Sequence, residues 1–513
     1  MATASWPRRY WGACDRGFPV ACVVLGVLAV LPVWSSRFLP LLDEPNHLSA
    51  LYIWKQLSDP ASPLHAFYQV AIAPVSYFLH YGLAYLSSWV VGVELAHKLV
   101  LSAYVLSFPL AGWLWCRATG RTVWLCLTTI PLAYSTSWSL GYHSFDAGLA
   151  ACLFAVIAED ALLRAPSLRR ALVVCGLGLA CYLGHPLALV MFWVCTLVLW
   201  GVSRPRWPAL AWSVASLLPG ALLYRWQSLA AGVGVSGTLE LMGPNFLRFS
   251  PEWVRDRVLA LPAYAVNPLA GSADTRSFEL MLAGFLMLLA VGAARAASYR
   301  SLLLASGLFG LYMLLPNHFA KPVYLWIACG RVAPLVAFFL SLSPAIDDAM
   351  RARWLVLPIV LVGALVPLST ALAYRTFGSE LSTLERVLAL CPRDAEVLTI
   401  ALGGADTLTE GFDQPVFRQL SSWVQVLHGG YNPSEFPRPI AFPFVTKHRL
   451  PAPPWRHHER YEQYLNPELY SCVLTMKLGE GVGLPGYELG RREGEFALWC
   501  ARDERGRSRC AGK

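Results

Sequence analysis

The sequence predicts an all-α polytopic membrane bundle followed by a small α/β or α+β soluble domain, and three observations predict it. Hydrophobic residues make up 56% of the 513 and charged residues only 14%, well below the roughly 25% charged content of soluble domains. The Lys and Arg residues behind the net charge of +9 fall in small clusters between apolar runs, as the cytoplasmic loops of a membrane bundle do. The chain then changes character near Tyr374, where a mixed stretch rich in Pro and Gly begins; at about 140 residues it is the size of one small domain. The charge is therefore read as topology, and nucleic acid is not expected as a partner. No repeat of fixed period, phosphate-binding loop or dinucleotide fingerprint is present, so nothing suggests nucleotide hydrolysis or NAD chemistry. The thirteen cysteines show no Cys-x-x-Cys pair, and those within apolar runs read as small buried hydrophobes.

The first apolar run covers 18–34 and follows Arg8, Arg9 and Arg16, which places the N-terminus in the cytoplasm and makes this run a retained anchor. A first outer loop, 36–94, comes next. It carries a predicted helix over 45–57, a Ser/Pro-broken stretch over 59–63 and an uncharged run over 71–93. That last run is long enough to span. Counted as a span, however, it would move Arg117 and Arg121, Arg164, Arg169 and Arg170, and the later arginine pairs outside. Placed in the interface, it keeps them cytoplasmic, and its Tyr77, Tyr81, Tyr85 and Trp89 suit that position.

The remaining spans are expected over 95–115, 123–140, 145–163, 171–183, 187–202, 210–226, 278–294, 302–315, 323–342 and 354–373, with a long outer loop at 227–277. With the first they make about eleven, which leaves the C-terminus outside. The membrane part is thus 1–375 and the extracytoplasmic domain 376–513. In the latter, 397–401, 473–478 and 496–500 read as strands. Its Cys391, Cys472, Cys500 and Cys510 fit either one or two disulfides or free thiols.

The chemistry centres on Leu42-Asp43-Glu44-Pro45-Asn46-His47. Pro45 suits a first helical turn, where a preceding carboxylate can cap the helix, and His47 falls one turn on, on the same face as Glu44. Other ionisable groups gather on the predicted outer side: His143 and Asp146 in the 141–146 turn, His185, then His318 and Lys321, with Arg331 about two turns into the next span. Plainer roles exist for each. Asp43 or Glu44 could be only a cap, Asp146 could cap its own helix, His185 could be a structural donor, and Arg331 could sit in an ion pair or snorkel. Glu159 and Asp160, beside Arg164, read as interface charges.

The acidic pair with Pro45 and His47, the interfacial run, the junction at 93–99 (which holds His97) and the 141–149 turn together resemble the GT-C superfamily of membrane glycosyltransferases. The likeness is to bacterial multi-span members with an Asp-x-Pro-x-His type first loop. Relatives of the aminoarabinose-transferase and protein mannosyltransferase type carry Lys-Pro-Pro-Leu-x-Tyr-Trp where this chain has 73–78 without the lysine, a phosphate contact that Lys321 or Arg331 could replace. The resemblance implies a GT-C-like fold in the bacterial plasma membrane. It also implies sugar transfer from a polyprenyl-phosphate carrier to a glycan, lipid or protein acceptor, with membrane lipid along the interfacial run. Asp43 would be the general base, assisted by Glu44 or His47. His143, Asp146, His185 and His318 would line the substrate site, with Lys321 and Arg331 on the lipid phosphate. Some relatives use a divalent cation, and Mg or Mn on Asp43, Glu44 and Asp146 would be an oxygen site of that kind. Two other classes fit the same outer cluster: a transporter or flippase for a lipid-linked or anionic substrate, and a non-catalytic assembly subunit.

Overall fold

The computed structural model describes residues 17–72, 76–230, 250–267, 279, 283, 298–319, 325–344, 349–402, 416–432, 443–453, 458–479, 481–503 and 507–510. Its membrane part opens with α1 (Gly17–Ser35), α2 (Glu44–Gln56), strand β1 (Tyr68–Val70), α3 (Phe78–Val91), α4 (Val93–Thr119) and a short α5 (Thr136–Ser139). It continues through α6 (His143–Arg164), α7 (Leu168–Gly184), α8 (Pro186–Ser203), α9 (Trp207–Ala230), α10 (Pro251–Ala265) and α11 (Tyr299–Leu314). A hairpin of β2 (His318–Phe319) and β3 (Leu325–Trp326) precedes α12 (Ala333–Ser341) and the long α13 (Ala349–Leu388). The C-terminal region adds β4 (Val397–Ala401), α14 (Leu420–His428), β5 (Phe444–Thr446), β6 (Cys472–Met476), β7 (Tyr487–Glu493) and β8 (Phe496–Ala501).

Among the described residues five helices are long and apolar enough to cross a membrane: α1, α4, α8, Trp207–Gln227 of α9 and Val356–Leu388 of α13. The chain is a multi-pass membrane protein. The expected eleven spans are not reproduced. Most of 278–294 lies outside the described residues, and two other expected spans are not single helices. Residues 123–140 form a 3-10 helix, Val123–Ala133, followed by α5. Thr128 and Thr129 turn their hydroxyls back onto the carbonyls of Leu125 and Cys126, both at 2.7 Å, and Pro131 has no N–H to donate, so an α-helical ladder is not completed here. Residues 323–342, also expected to span, supply β3, a 3-10 turn at Gly330–Val332 and only nine residues of α12. Such irregular backbone at membrane depth is tolerated where protein buries it.

The run expected in the interface becomes α3, 14 residues long. At 1.5 Å per residue that is about 21 Å, short of a hydrocarbon core of about 30 Å. Gly92 (φ +81°) breaks it from α4, and Gly120 (φ +69°) ends α4 by returning its N–H to the last-turn carbonyls. Glu159 and Asp160 are not interface charges but buried groups. Asp160 accepts from Arg164 and Arg300 at 2.5 Å, and Glu159 accepts from Ser213 and from Trp200.

Helix α6 crosses the α7–α8 corner through glycines. A Cβ on Gly184 would overlap the backbone of Gly148, the small-residue contact by which membrane helices approach closely. Because His185 follows directly and caps α8, this crossing sets where His185 lies. Gly184→Val is expected to lower stability by about 1–3 kcal/mol, read as earlier thermal unfolding of the detergent-purified chain; an unchanged transition would contradict the crossing.

In the C-terminal region four strands form a mixed sheet in the order β4-β6-β8-β7, with β4 and β6 parallel and the other pairs antiparallel. The parallel pair needs a crossover, and α14 lies on it. Strands β4, β6 and β8 match the expected ones to within a residue or two. Strand β7 was not expected: it is an exposed edge strand carrying Glu488, Arg491, Arg492 and Glu493, as edges often do. The expected domain border at 375/376 falls inside α13, which runs unbroken into this region.

The four cysteines form Cys391–Cys472, tying the end of α13 to β6, and Cys500–Cys510. Reduction is expected to destabilise the C-terminal region by about 2–4 kcal/mol per bond, seen as faster limited proteolysis with a thiol reductant than without; equal rates would count against the pairing.

This region also docks on the first loop. Ser422 donates to Asn46 at 2.5 Å, Asn432 to Ser422 at 2.8 Å, and Ser49 to Gln425. Strand β1 pairs with β5, Tyr68 opposite Thr446.

Candidate active site

Helix α2 begins at Glu44 with Pro45 in its first turn, as its sequence predicts, but neither acid serves as a side-chain cap. Asp43, the residue before the helix, is half-buried and its carboxylate has no hydrogen bond or ion pair among the described residues. Burial pushes its pKa up to about 7, against the opposing pull of the Arg331 charge. Its backbone is fixed from behind: Asp43 N–H donates to Leu140, and Gly141, in the left-handed region at φ +71°, lets the two backbones meet. A Cβ on Gly141 would lie 2.9 Å from the amide nitrogens of Asp43 and Glu44.

Glu44, one residue on, points elsewhere. Its buried carboxylate accepts from His97 Nε2 of α4 at 2.9 Å and from His143 Nε2 of α6 at 2.5 Å. Burial alone would raise its pKa, but the two imidazoles override it and hold Glu44 well below the usual carboxylate range. His47 lies one turn along α2 with Nδ1 2.6 Å from the Tyr81 hydroxyl, its ring 5.1 Å from that of His143. Burial, together with its histidine neighbours, pushes the His47 imidazole well below its usual range. His80 of α3 closes the group, its Nε2 3.2 Å from His97 Nδ1. Four imidazoles from four helices thus surround one carboxylate.

Asp146 stands in the first turn of α6, accepting from Ser137 at 2.9 Å through Oδ1. Among the described residues its Oδ2 has no hydrogen-bond partner; it lies 3.9 Å from His143 Nδ1, which likewise has none there.

The second part of the site is cationic. Arg331 lies not two turns into a span but in the 3-10 turn after the β2–β3 hairpin. It is 6% exposed, and no carboxylate pairs with it among the described residues. Its Nε and Nη2 donate to the Trp326 carbonyl at 3.2 and 3.1 Å, and the guanidinium lies over the Tyr142 ring at 3.8 Å. Its Nη1 is 3.4 Å from His185 Nε2. His185 both caps α8 and joins this group: Nδ1 accepts from Leu187 N–H at 3.0 Å, which leaves the proton on Nε2, facing the Tyr77 hydroxyl at 3.0 Å.

Asp43, Glu44, His47, His143, Asp146, His185 and Arg331 are therefore brought together. His318 lies on the β2–β3 hairpin, with its side chain outside the description, and Lys321 lies outside the described residues, as do 73–75 of the 73–78 stretch. Sequence reasoning passed over His97, Tyr77, Ser137 and His80 as site residues. The legible signal was a histidine inside an apolar span, which is costly unless it faces a partner; His97 is such a residue. A cavity of about 290 Å³ lined by Arg37, Arg375 and Glu385 among others shares no residue with this cluster.

Fold and site define a helical membrane protein with a buried carboxylate–imidazole cluster beside a guanidinium that forms no ion pair among the described residues. No protein-family profile and no curated protein matches the sequence. Among solved structures, the chain is similar over 98% of its length to the mycobacterial arabinofuranosyltransferase AftD, at 14% identity and a TM-score of 0.48. It spans 42% of that enzyme's chain.

Proposed function

We propose that the chain is a membrane glycosyltransferase that moves a sugar from a polyprenyl-phosphate carrier to an acceptor hydroxyl at the outer face of a bacterial plasma membrane. The observation that carries this reading is Arg331, a buried cation that forms no ion pair among the described residues, whose charge acts from a distance on a half-buried carboxylate, Asp43, that is also outside any ion pair there. A buried charge is costly unless something compensates it, and a phosphate is the anion a guanidinium fork suits best. The first-loop acids and the short interfacial helix support the same reading.

Chemically, Asp43 takes the proton of the acceptor hydroxyl as its oxygen forms a bond to the anomeric carbon. The bond from that carbon to the phosphate oxygen breaks, and the lipid phosphate leaves with the electron pair. Arg331 meets the charge that grows on that oxygen, so its contact strengthens in the transition state. Tyr77, held by His185, stands beside it as a further hydroxyl. In this reading the N-terminus is cytoplasmic and the C-terminal domain, with its two disulfides, extracytoplasmic.

The test is transfer of labelled sugar from a panel of polyprenyl-phosphate donors by membranes holding the full chain, with Asp43→Asn at matched protein level. Transfer by the wild type that the variant loses is the expected result. A transporter, which the row of imidazoles would serve as a proton relay, would instead move substrate in a pH-gradient-dependent way without cleaving the glycosidic bond.

A further inference from the structure

We propose that Glu44, His97 and His143 hold a divalent transition-metal ion, zinc before others, at the centre of the imidazole cluster. One ligand atom from each lies within 4.8 Å of the other two, and all three residues are buried. They come from α2, α4 and α6, so three separate helices converge on one point. Two imidazole nitrogens and a carboxylate are a zinc-type set, whereas Mg and Ca take oxygen ligands. The ion proposed here therefore differs in both class and ligands from an oxygen-bound Mg or Mn on Asp43, Glu44 and Asp146.

The surrounding atoms fit the same assignment. Both imidazoles present Nε2 to the shared carboxylate, at 2.9 and 2.5 Å, so without an ion a neutral His143 carries its proton on Nε2 and turns a bare Nδ1 toward Asp146. That leaves His143 Nδ1 and Asp146 Oδ2, 3.9 Å apart, as two buried acceptors facing each other without hydrogen-bond partners among the described residues. With a metal on Nε2 the proton moves to Nδ1, and an approach of about 1 Å gives a normal hydrogen bond to Asp146. His97 is oriented likewise, its Nδ1 3.2 Å from His80 Nε2. Metal-bound histidines characteristically have such an outer partner on the second ring nitrogen. A doubly protonated His143 would satisfy the same atoms, but it would set a cation among the rings of His47, His80 and His97, at 5.1, 5.4 and 5.2 Å. Three protein ligands leave a fourth tetrahedral position open. The inference goes beyond the transfer reading and does not depend on it.

The full-length chain, purified without chelator, is expected to carry about one equivalent of zinc by elemental analysis. After stripping with a chelator, Co2+ should restore occupancy and give the visible absorption of a tetrahedral N/O site. Asp146→Asn, which leaves all three ligands in place, should weaken Co2+ binding about 10- to 100-fold, and Glu44→Gln should abolish the band. A well-folded wild type with neither stoichiometric metal nor a Co2+ band overturns the proposal, as does unchanged Co2+ binding in both variants. Sugar transfer by a wild type that binds neither zinc nor Co2+ removes the metal site alone; metal binding without transfer removes the transferase reading alone.

Discussion

Replacing Asp43 with asparagine is expected to lower sugar transfer by about 100- to 10,000-fold, the range over which a positioned general base contributes. The substitution is nearly isosteric, and the side chain it changes makes no hydrogen bond among the described residues and does not cap α2. Because burial disfavours the ionised carboxyl of Asp43, the neutral asparagine should leave stability unchanged or raise it, and the loss can be assigned to chemistry. Glu44→Gln provides the contrast. It removes a buried carboxylate that accepts from two histidines, so it is expected to disturb folding and metal content as well as transfer. The measurement is initial transfer rate at saturating donor, with unfolding temperature followed in parallel. Wild-type transfer by Asp43→Asn would remove Asp43 as the base.

The second large effect is expected at Arg331. Arg331→Met should reduce transfer by about 100- to 1,000-fold, as removal of a donor that stabilises developing charge does elsewhere, and should raise the KM for the lipid donor. Arg331→Lys should recover only part, because lysine lacks the planar fork and the stacking on Tyr142. A purely structural arginine predicts the opposite ordering of stability and activity. Here the buried cation has no carboxylate partner among the described residues, so methionine should leave stability unchanged or raise it. Lower stability with normal donor KM would make Arg331 a structural residue.

Much of the site was legible locally. Pro45 marks the start of α2, and the aromatic run before Gly92 becomes a helix too short to span. What adjacency hid is the division of labour between Asp43 and Glu44. Successive helical residues are turned by about 100°, so Glu44, on the helix, faces the bundle while Asp43, just off it, stays half-open. The partners of Glu44 lie 53 and 99 residues away, and no local pattern reports such distances. The misread spans have a different cause. Apolarity measures burial, and both 124–140 and 328–342 are largely buried. Thr128, Thr129 and Pro131 in the first, and the left-handed Ile327 with the hairpin in the second, decide the hydrogen-bonding pattern instead. Strand β7 was missed because its outward charges mask the apolar alternation expected of a strand.

The docking of α14 on α2 also bears on how the protein is made. Ser422 and Asn46 are 376 residues apart in sequence, and β1 finds its partner strand only in the last fifth of the chain. At about 5–20 residues per second, Asn46 leaves the ribosome roughly 20 to 75 s before Ser422. Throughout that interval the helix that starts beside Asp43 is without its outer support, with Asn46, Ser49 and the edge of β1 unpaired. The first loop is thus synthesised long before it is completed, and a chain cut short before α14 holds Glu44, His97 and His143 while α2, which carries Glu44, still lacks its outer support.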